Sequence, residues 1–198
     1  MKDVSLSKNF KLSEFVKTDV TDYTLALLKL LASQLQVVRN KLQDYAVDKK
    51  KAVSISINSG VRTEEDYKRL IKNGYNPSKT SDHFCGYQLL SKPTLGAADI
   101  KVSNCSLKLQ EIAHMMIEMN NTGDLDVGQV IFEYNPKTKS SWIHVGNDWW
   151  RIFEASFIAD NKLFETRKKH LMSLDNGKTY QTFNLDKINK ALGQTCQH

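Results

Sequence analysis

The sequence predicts an α+β fold, with a small antiparallel sheet and helices packed on one of its faces. Two periodic segments and their order along the chain lead to this class. Leucine and valine recur at spacings of three and four over residues 25–38, which is the period of an amphipathic helix. Residues 53–57 alternate between apolar side chains and serine, as a half-buried strand does. Helical and strand patterns follow one another without the regular alternation of a parallel α/β sheet, which favours α+β.

The first half of the chain divides into a docking segment, a long helix, a strand and a second helix. Residues 10–16 predict a short N-terminal docking segment, and the long helix is expected to end near Tyr45. After the strand, Thr63 and Asp66 have the spacing of a capping box that opens a helix through about Lys72.

The middle of the chain predicts an interrupted segment, a helix and a hairpin. Residues 83–102 are expected to be extended, with an inserted loop over residues 87–95 between their two halves. A helix over residues 107–119 follows. Residues 127–134 and 142–145 predict two strands that a turn joins as a hairpin.

The domain organisation expected from these elements is one domain over residues 1–147 and a C-terminal extension over residues 148–198 that packs on it. Within the extension, the apolar residues 149–153 could continue the sheet. Asn184 has the residue type and the position to cap a last short helix through Leu192.

Length and composition are those of an ordinary globular protein, with 198 residues of which 40% are hydrophobic and 25% are charged. No apolar run approaches the roughly 20 residues of a membrane span, and no apolar stretch follows the N-terminus as in a signal peptide. We therefore expect synthesis in the cytoplasm, with retention there or release by a route other than ordinary secretion. Three cysteines, an odd number without framework spacing, indicate reduced thiols.

The net charge of +6 would suit a polyanionic target such as a bacterial cell wall or a nucleic acid. The basic residues are spread along the chain, however, and no dedicated motif of basic and aromatic residues accompanies them. A nucleic-acid partner is therefore not expected, and the mild excess of positive charge mainly favours solubility.

Two histidines and two carboxylates on separate short segments have the chemistry of a catalytic metal site. His83, Asp99 and His144 can supply the three protein ligands of a zinc ion whose fourth position stays open for water. Glu133 lies across the predicted turn from His144, where a free carboxylate can take a proton from that water. Asp99 has apolar neighbours, and a carboxylate is costly to bury among them without a partner. A buried aspartate that caps a turn is the competing account of Asp99.

Other residues of the same types compete with this set. Cys85 lies two residues from His83, and alternate residues of an extended segment share a face, so Cys85 remains a second candidate ligand. His114 lies within a helical pattern without a partner motif, and His170 follows two lysines. We expect neither of these histidines, nor the terminal His198, to bind the metal.

Four short segments of the chain together carry a longer motif. They are Ser59-Gly60-Val61-Arg62, Ser81-Asp82-His83-Phe84-Cys85-Gly86, Gly96-Ala97-Ala98-Asp99, and Glu133 with Trp142-Ile143-His144. In this order they resemble the zinc D-Ala-D-Ala carboxypeptidase family of peptidoglycan peptidases. That family includes phage and bacterial cell-wall enzymes and shares a metal-site fold with the Hedgehog signalling domain. The resemblance covers roughly residues 9–147.

The resemblance implies a role for each of these residues. It implies His83, Asp99 and His144 as zinc ligands, in a cleft on the sheet face opposite the helices. It implies Glu133 as the catalytic base. Arg62 is implied to contact a carboxylate or carbonyl of the substrate through its rigid fork, with a structural salt bridge at the helix start as the alternative.

The resemblance also concerns the walls of the cleft. Ser81 is implied either to bind substrate or to hold the loop that carries His83, and Trp142 is implied to form a wall. The chain departs from the family in one place, because more residues separate His83 from Asp99 than is usual there. The extra loop over residues 87–95 would alter the mouth of the cleft.

The function implied is a zinc metallopeptidase that hydrolyses peptide bonds of bacterial peptidoglycan, either as a D-Ala-D-Ala carboxypeptidase or as a stem-peptide endopeptidase. Such an enzyme would be a phage lysin, a virion-associated protein or a cytoplasmic dipeptidase. A non-catalytic zinc-containing binding or structural module of the same fold is the alternative, and the presence of Glu133 argues against it. A nucleic-acid-associated protein would rest on charge alone.

Overall fold

The computed structural model describes residues 3–74, 77–86, 94–148 and 169–194. Within these residues the chain forms five α-helices, α1 (Leu12–Phe15), α2 (Asp22–Leu42), α3 (Glu64–Lys72), α4 (Leu109–Thr122) and α5 (Leu185–Ala191). The same residues form six strands, β1 (Ser54–Ser59), β2 (Ala97–Ser103), β3 (Gln129–Asn135), β4 (Ser140–Gly146), β5 (Lys169–Ser173) and β6 (Gln181–Thr182). Among the helices of these described ranges, none combines the length and the apolar composition that crossing a membrane requires.

The six strands form one open, mixed sheet in the order β1-β2-β4-β3-β5-β6. Neighbouring strands are antiparallel except β3 and β5, which pair in parallel. The expectation of a purely antiparallel sheet is therefore wrong at this one pair, and β5 and β6 were not among the predicted strands. A parallel pair needs a long crossover connection, and here the connection from β3 to β5 runs through β4. Hairpin signals between adjacent segments could not reveal such a pairing.

Local capping interactions explain where the helices begin and end. The Thr21 hydroxyl caps α2 by accepting a hydrogen bond at 3.1 Å from the backbone N–H three residues on. The helix ends at Leu42, and a 3-10 turn continues to Tyr45. At α3, the Thr63 hydroxyl accepts from the Asp66 N–H at 3.2 Å, and the Asp66 carboxylate accepts from the Thr63 N–H at 3.1 Å. The predicted capping box is therefore confirmed.

Strand alternation divides the sheet into two faces of opposite character. One face is apolar and buried, and its residues include Ile100, Val130, Phe132, Ile143 and Val145. Helices α2 and α4 share one hydrophobic core with this face, through residues that include Leu28, Leu31, Leu35, Ile112 and Met116. Each such side chain contributes about 1.5–3 kcal/mol on burial, so this layer holds the sheet in place. The intervening residues of the central strands point to the other face, which forms a cleft.

Residues 169–194, within the predicted C-terminal extension, complete the same sheet and core. Strand β5 lies beside β3, and Met172 is buried in the common hydrophobic core. The Asn184 side chain accepts a hydrogen bond at 2.9 Å from the backbone N–H three residues on and so opens α5, as predicted. Helix α5 packs on α4 and buries Ile188. The predicted strand continuation over residues 149–153 lies outside the described residues.

Candidate functional site

Three side chains from distant parts of the chain converge in the cleft. His83 Nε2 lies 3.2 Å from Asp99 Oδ1 and 3.2 Å from His144 Nδ1. Asp99 Oδ1 lies 3.0 Å from His144 Nδ1, which closes the triangle. Both histidines are buried and Asp99 is half-buried. Imidazole nitrogens and carboxylate oxygens are metal donors, so this cluster could hold a metal ion.

Strand register brings Asp99 and His144 together. Asp99 on β2 pairs directly with His144 on β4, and residues opposite each other on antiparallel strands present their side chains on one face. His83 comes from a 3-10 turn (Asp82–Phe84), so the prediction of an extended segment is wrong at this residue. The turn is followed by Cys85, whose φ of 45° lies in the left-handed region. The chain therefore reverses at Cys85 and delivers His83 from outside the sheet.

The additional residues between His83 and Asp99 begin and end at neighbouring positions beside the site. The Gly86 N–H donates a hydrogen bond to the Thr94 carbonyl oxygen at 3.0 Å. Residues 87–93, most of the predicted inserted loop, lie outside the described residues. This hydrogen bond joins the two ends of the insertion. The additional residues between His83 and Asp99 therefore do not move these two candidate ligands apart.

Hydrogen bonds on the far side of each imidazole determine which nitrogen faces the cluster. His83 Nδ1 lies 2.7 Å from the Gly60 carbonyl oxygen, which can only accept. The proton is therefore on Nδ1, and Nε2 is left for the cluster. His144 Nε2 lies 3.4 Å from Gln129 Oε1, which leaves His144 Nδ1 for the cluster. Metal-binding histidines are oriented by partners of this kind.

Gly60 is held in place by the N-terminal docking segment. A Cβ atom at Gly60 would clash with the Phe15 carbonyl oxygen. That same oxygen accepts a hydrogen bond from the Val61 N–H at 2.8 Å. The end of α1 therefore fixes the Gly60 carbonyl that orients His83, which connects the docking segment, residues 10–16, to the site.

Replacing Gln129 by leucine, which removes the acceptor of the His144 ring, is expected to weaken metal binding about 10- to 100-fold. Gln129 is buried beside the ring, so leucine keeps most of the packing. Competition with a chromophoric chelator measures the affinity. Gln36→Leu, on α2, is the control and should bind the metal like the wild type. Equal affinities of the two variants would show that Gln129 does not orient His144.

The charges of the cluster favour one arrangement of protons. Burial opposes ionisation of Asp99, but the His83 charge and the hydrogen bond from His83 Nε2 outweigh it and hold the pKa of the Asp99 carboxyl below its usual range. Burial also opposes charging of His83, yet the Asp99 carboxylate outweighs it and raises the pKa of the His83 ring. Without a metal, the cluster therefore favours a proton on His83 Nε2, and an incoming metal ion must displace that proton.

Glu133 faces the same cleft without belonging to the cluster. On β3 it pairs with Trp142 of β4, two residues from the point where Ile131 pairs with His144. Its side chain is buried, and burial together with the Asp99 charge raises the pKa of Glu133 to about 7. A carboxyl group with this pKa can both accept and release a proton near neutral pH.

The metal-free protein is expected to lose stability between pH 4.5 and about 7 because of Glu133. In this interval the unfolded chain has an ionised Glu133, whereas the folded protein keeps the proton, so stability falls as the pH rises. One pKa unit corresponds to about 1.4 kcal/mol, and the total loss approaches about 3 kcal/mol. Urea unfolding in the presence of a chelator measures it as the difference between wild type and Glu133→Gln, which cannot titrate. A difference that is independent of pH would contradict the raised pKa.

Arg62 and Ser81 line the same cleft. Arg62 Nη1 donates to Ser81 Oγ at 3.4 Å, and the Arg62 backbone N–H donates to the His83 carbonyl oxygen at 2.7 Å. The alternative for Arg62 was a salt bridge at the start of α3. The Asp66 carboxylate at that position pairs with Arg69 instead. Among the residues that the structure describes, Arg62 has no carboxylate within ion-pair distance, so its guanidinium remains available to a ligand in the cleft.

The cleft has a volume of about 950 Å³ and is lined by more residues than the four motif segments contain. Trp142 lies on its wall. A second wall, which was not predicted, comes from β5 and the turn before β6, with Lys169, Leu171, Asn176, Gly177 and Tyr180. These residues reach the cleft because β5 pairs with β3. The spacing of Lys169 and Leu171, which places both on one face of a strand, was the only local signal of this wall.

Cys85, the alternative ligand, lies away from the cluster. Its Sγ atom is 3.9 Å from the Thr24 carbonyl oxygen of α2. Burial, and then the Asp82 charge, raises the pKa of the Cys85 thiol to about 12, which disfavours the thiolate that a metal would bind. Cys85 could share a face with His83 only if the backbone were extended here. The backbone forms a turn instead, so the two side chains do not face the same way.

Two of the other histidines also lie outside the cluster. His114 is exposed on α4, and its ring stacks on Phe183. His170 is half-buried, with Nε2 at 3.0 Å from Asn120 Nδ2. His198 lies outside the described residues.

Comparisons with known protein families, curated proteins and solved structures give no match for this chain. The site is described by its own residues, which are a His-His-Asp cluster that could hold a metal ion and a separate buried carboxyl group in the same cleft.

Proposed function

We propose that the protein is a zinc-dependent peptidase that hydrolyses peptide bonds of bacterial peptidoglycan. The observation that carries this proposal is the combination of a three-residue cluster with Glu133, a carboxyl group in the same cleft that is not part of the cluster. Structural zinc sites take four protein ligands, whereas catalytic ones take three and keep one position for water. A metal site that only holds the fold together has no use for a base beside it.

The donor set and its spacing support zinc as the metal. Two imidazole nitrogens and one carboxylate oxygen suit zinc, whereas calcium and magnesium prefer sets of oxygen atoms. Tetrahedral bonds of about 2.0–2.1 Å place neighbouring donor atoms about 3.3 Å apart. The three separations in the cluster, 3.0, 3.2 and 3.2 Å, are close to that value.

A zinc ion at such a site supplies Lewis acidity, which lowers the pKa of water towards 7 and polarises a substrate carbonyl. The remaining steps belong to the protein. Glu133 takes a proton from the attacking water and passes it to the leaving amine, which its place in the cleft outside the cluster allows. The Arg62 fork can hold a substrate carboxylate or carbonyl in place.

The lining of the cleft and the motif segments support the substrate class. Arg62, Lys79 and Lys169 give the cleft three cationic side chains, which complement the terminal carboxylate of a stem peptide. Trp142 adds an apolar wall for short aliphatic side chains. Release to the cell wall, or carriage in a phage particle, is part of the same proposal.

The proposal is tested by incubating zinc-loaded protein with purified peptidoglycan and synthetic stem peptides, followed by mass spectrometry of the products. Release of D-alanine would identify a carboxypeptidase, and internal fragments would identify an endopeptidase. Either activity should disappear with a chelator and return with zinc. Folded, zinc-loaded protein that leaves every substrate intact would contradict the proposal and favour a non-catalytic binding module of the same fold.

A further inference from the structure

Tyr180 reaches the cleft from a part of the chain outside the four motif segments. Thr182 of β6 pairs with Leu171 of β5, so Tyr180, two residues earlier, lies level with Ser173. Ser173 in turn pairs with Glu133 of β3. Tyr180 and Glu133 therefore lie in one row across the sheet, on the cleft face.

The turn at Gly177 brings the Tyr180 hydroxyl and the Glu133 carboxyl group close to one point. A Cβ atom on Gly177 would lie 3.1 Å from Tyr180 Oη and 3.4 Å from Glu133 Oε2. Gly177 has a φ of 76°, in the left-handed region, so a side chain here would be strained as well as crowded. The glycine leaves the space that these two oxygen atoms share.

The Tyr180 hydroxyl is available as a hydrogen-bond donor. Among the described residues, none forms a hydrogen bond with Tyr180 Oη. Burial, and then the charges of Glu133 and Asp99, raise the pKa of Tyr180 to about 12, so the phenol keeps its proton at neutral pH. The side chain is still 49% exposed, so a ligand in the cleft can contact it.

We propose that Tyr180 is a catalytic residue whose hydroxyl donates a hydrogen bond to the scissile carbonyl oxygen of the substrate. This inference rests on the proposed peptidase function. A peptide group offers one strong acceptor, its carbonyl oxygen, and negative charge develops there as water adds to the carbonyl carbon. Tyr180 lines the same cleft as the cluster and Glu133, and its hydroxyl lies near the Glu133 carboxyl group at Gly177, so a peptide bound between them can present its carbonyl oxygen to this donor.

The proton balance of the step leaves Tyr180 unchanged. As the water oxygen bonds to the carbonyl carbon, one water proton moves to Glu133. Glu133 then gives this proton to the amide nitrogen as the carbon–nitrogen bond breaks, and the amine leaves. The phenolic proton stays on Tyr180 Oη throughout, since the hydroxyl only donates a hydrogen bond.

Tyr180→Phe removes the hydroxyl and keeps the ring, so it isolates this contribution. We expect kcat on a stem peptide to fall about 100-fold, with KM changed by less than about threefold. Affinity for a phosphinate peptide, whose tetrahedral anion resembles the transition state, should fall by a similar factor, whereas zinc content and melting temperature should not change. Tyr134→Phe is the control, because Tyr134 neighbours Glu133 in sequence but packs against the hydrophobic core. It should match the wild type in every measurement.

The outcomes separate this inference from the proposed function. If the wild type hydrolyses the peptide and Tyr180→Phe keeps kcat and phosphinate affinity within about threefold, Tyr180 is not catalytic and the peptidase proposal stands. A fall in kcat that is matched by lost zinc or lost stability would also overturn the inference, because Tyr180 would then be structural. If the zinc-loaded wild type hydrolyses nothing and binds the phosphinate no better than the product, the proposed function fails and the role of Tyr180 fails with it.

Discussion

Glu133→Gln is expected to reduce kcat for stem-peptide hydrolysis about 10³-fold or more while zinc remains bound. Glutamine has nearly the shape of glutamate, but its amide cannot take a proton from water or deliver one to the leaving amine. Glu133 is not one of the three residues of the cluster, so its replacement removes no ligand. Initial rates on a synthetic stem peptide and elemental analysis of the same sample measure the two quantities.

A matched control and a stability measurement separate lost chemistry from lost structure. Glu118→Gln changes an exposed carboxylate on α4 and should keep full activity. Above pH 7, metal-free Glu133→Gln should be more stable than wild type, because burial disfavours the ionised form of Glu133. A folded, zinc-loaded Glu133→Gln protein whose kcat stays within about tenfold of wild type would rule out Glu133 as the base.

Asp99→Ala is expected to lower zinc affinity by more than about 100-fold, since loss of an orienting partner alone costs about 10- to 100-fold. Asp99 supplies the anionic donor of the cluster, and its Oδ1 atom lies within 3.2 Å of both imidazole donors. Zinc per protein after dialysis measures the loss. Zinc should also raise the melting temperature of the wild type, through binding to the folded state, and leave that of Asp99→Ala unchanged.

His114→Ala is the matched control for the ligand assignment. His114 is exposed on α4 and stacks on Phe183, away from the cleft, so its removal should leave zinc content at the wild-type level. Asp99→Asn preserves the side-chain shape and shows whether the Asp99 position tolerates a neutral group in the folded protein. Equal zinc content in Asp99→Ala and His114→Ala would contradict the assignment of Asp99 as a ligand.

Elements that depend on neighbours in sequence were predicted well. The Thr63–Asp66 capping box and the alternation of residues 53–57 are decided within a few residues, and the structure has α3 and β1 at these positions. Asn184 caps α5 for the same reason. Such signals need no knowledge of the rest of the fold.

Features that depend on distant contacts were not predicted. The left-handed conformation of Cys85, a residue other than glycine, has no sequence signal, so the sequence predicts an extended segment where the structure has the turn that carries His83. The parallel pairing of β5 with β3 joins segments separated by β4, and no local pattern encodes it. Tyr180 was missed as a consequence, because it enters the cleft only through that pairing.

The site itself was predicted in part. The expectation that His83, Asp99 and His144 come together is confirmed, and the cluster they form could hold a metal ion. Histidine and aspartate in short motif segments mark such a cluster even where the backbone conformation is predicted wrongly. Gln129 was not predicted, because a glutamine that orients a histidine looks in sequence like any other polar strand residue.

The position of the metal tests the central claim most directly. An anomalous difference map, recorded at the zinc absorption edge from crystals of zinc-loaded protein, locates the ion independently of the protein atoms. We expect one strong peak about 2.0–2.2 Å from His83 Nε2, Asp99 Oδ1 and His144 Nδ1, with its remaining side towards the cleft. A peak at another site, or a peak at the two histidines with Asp99 turned away from it, would contradict the proposed zinc centre.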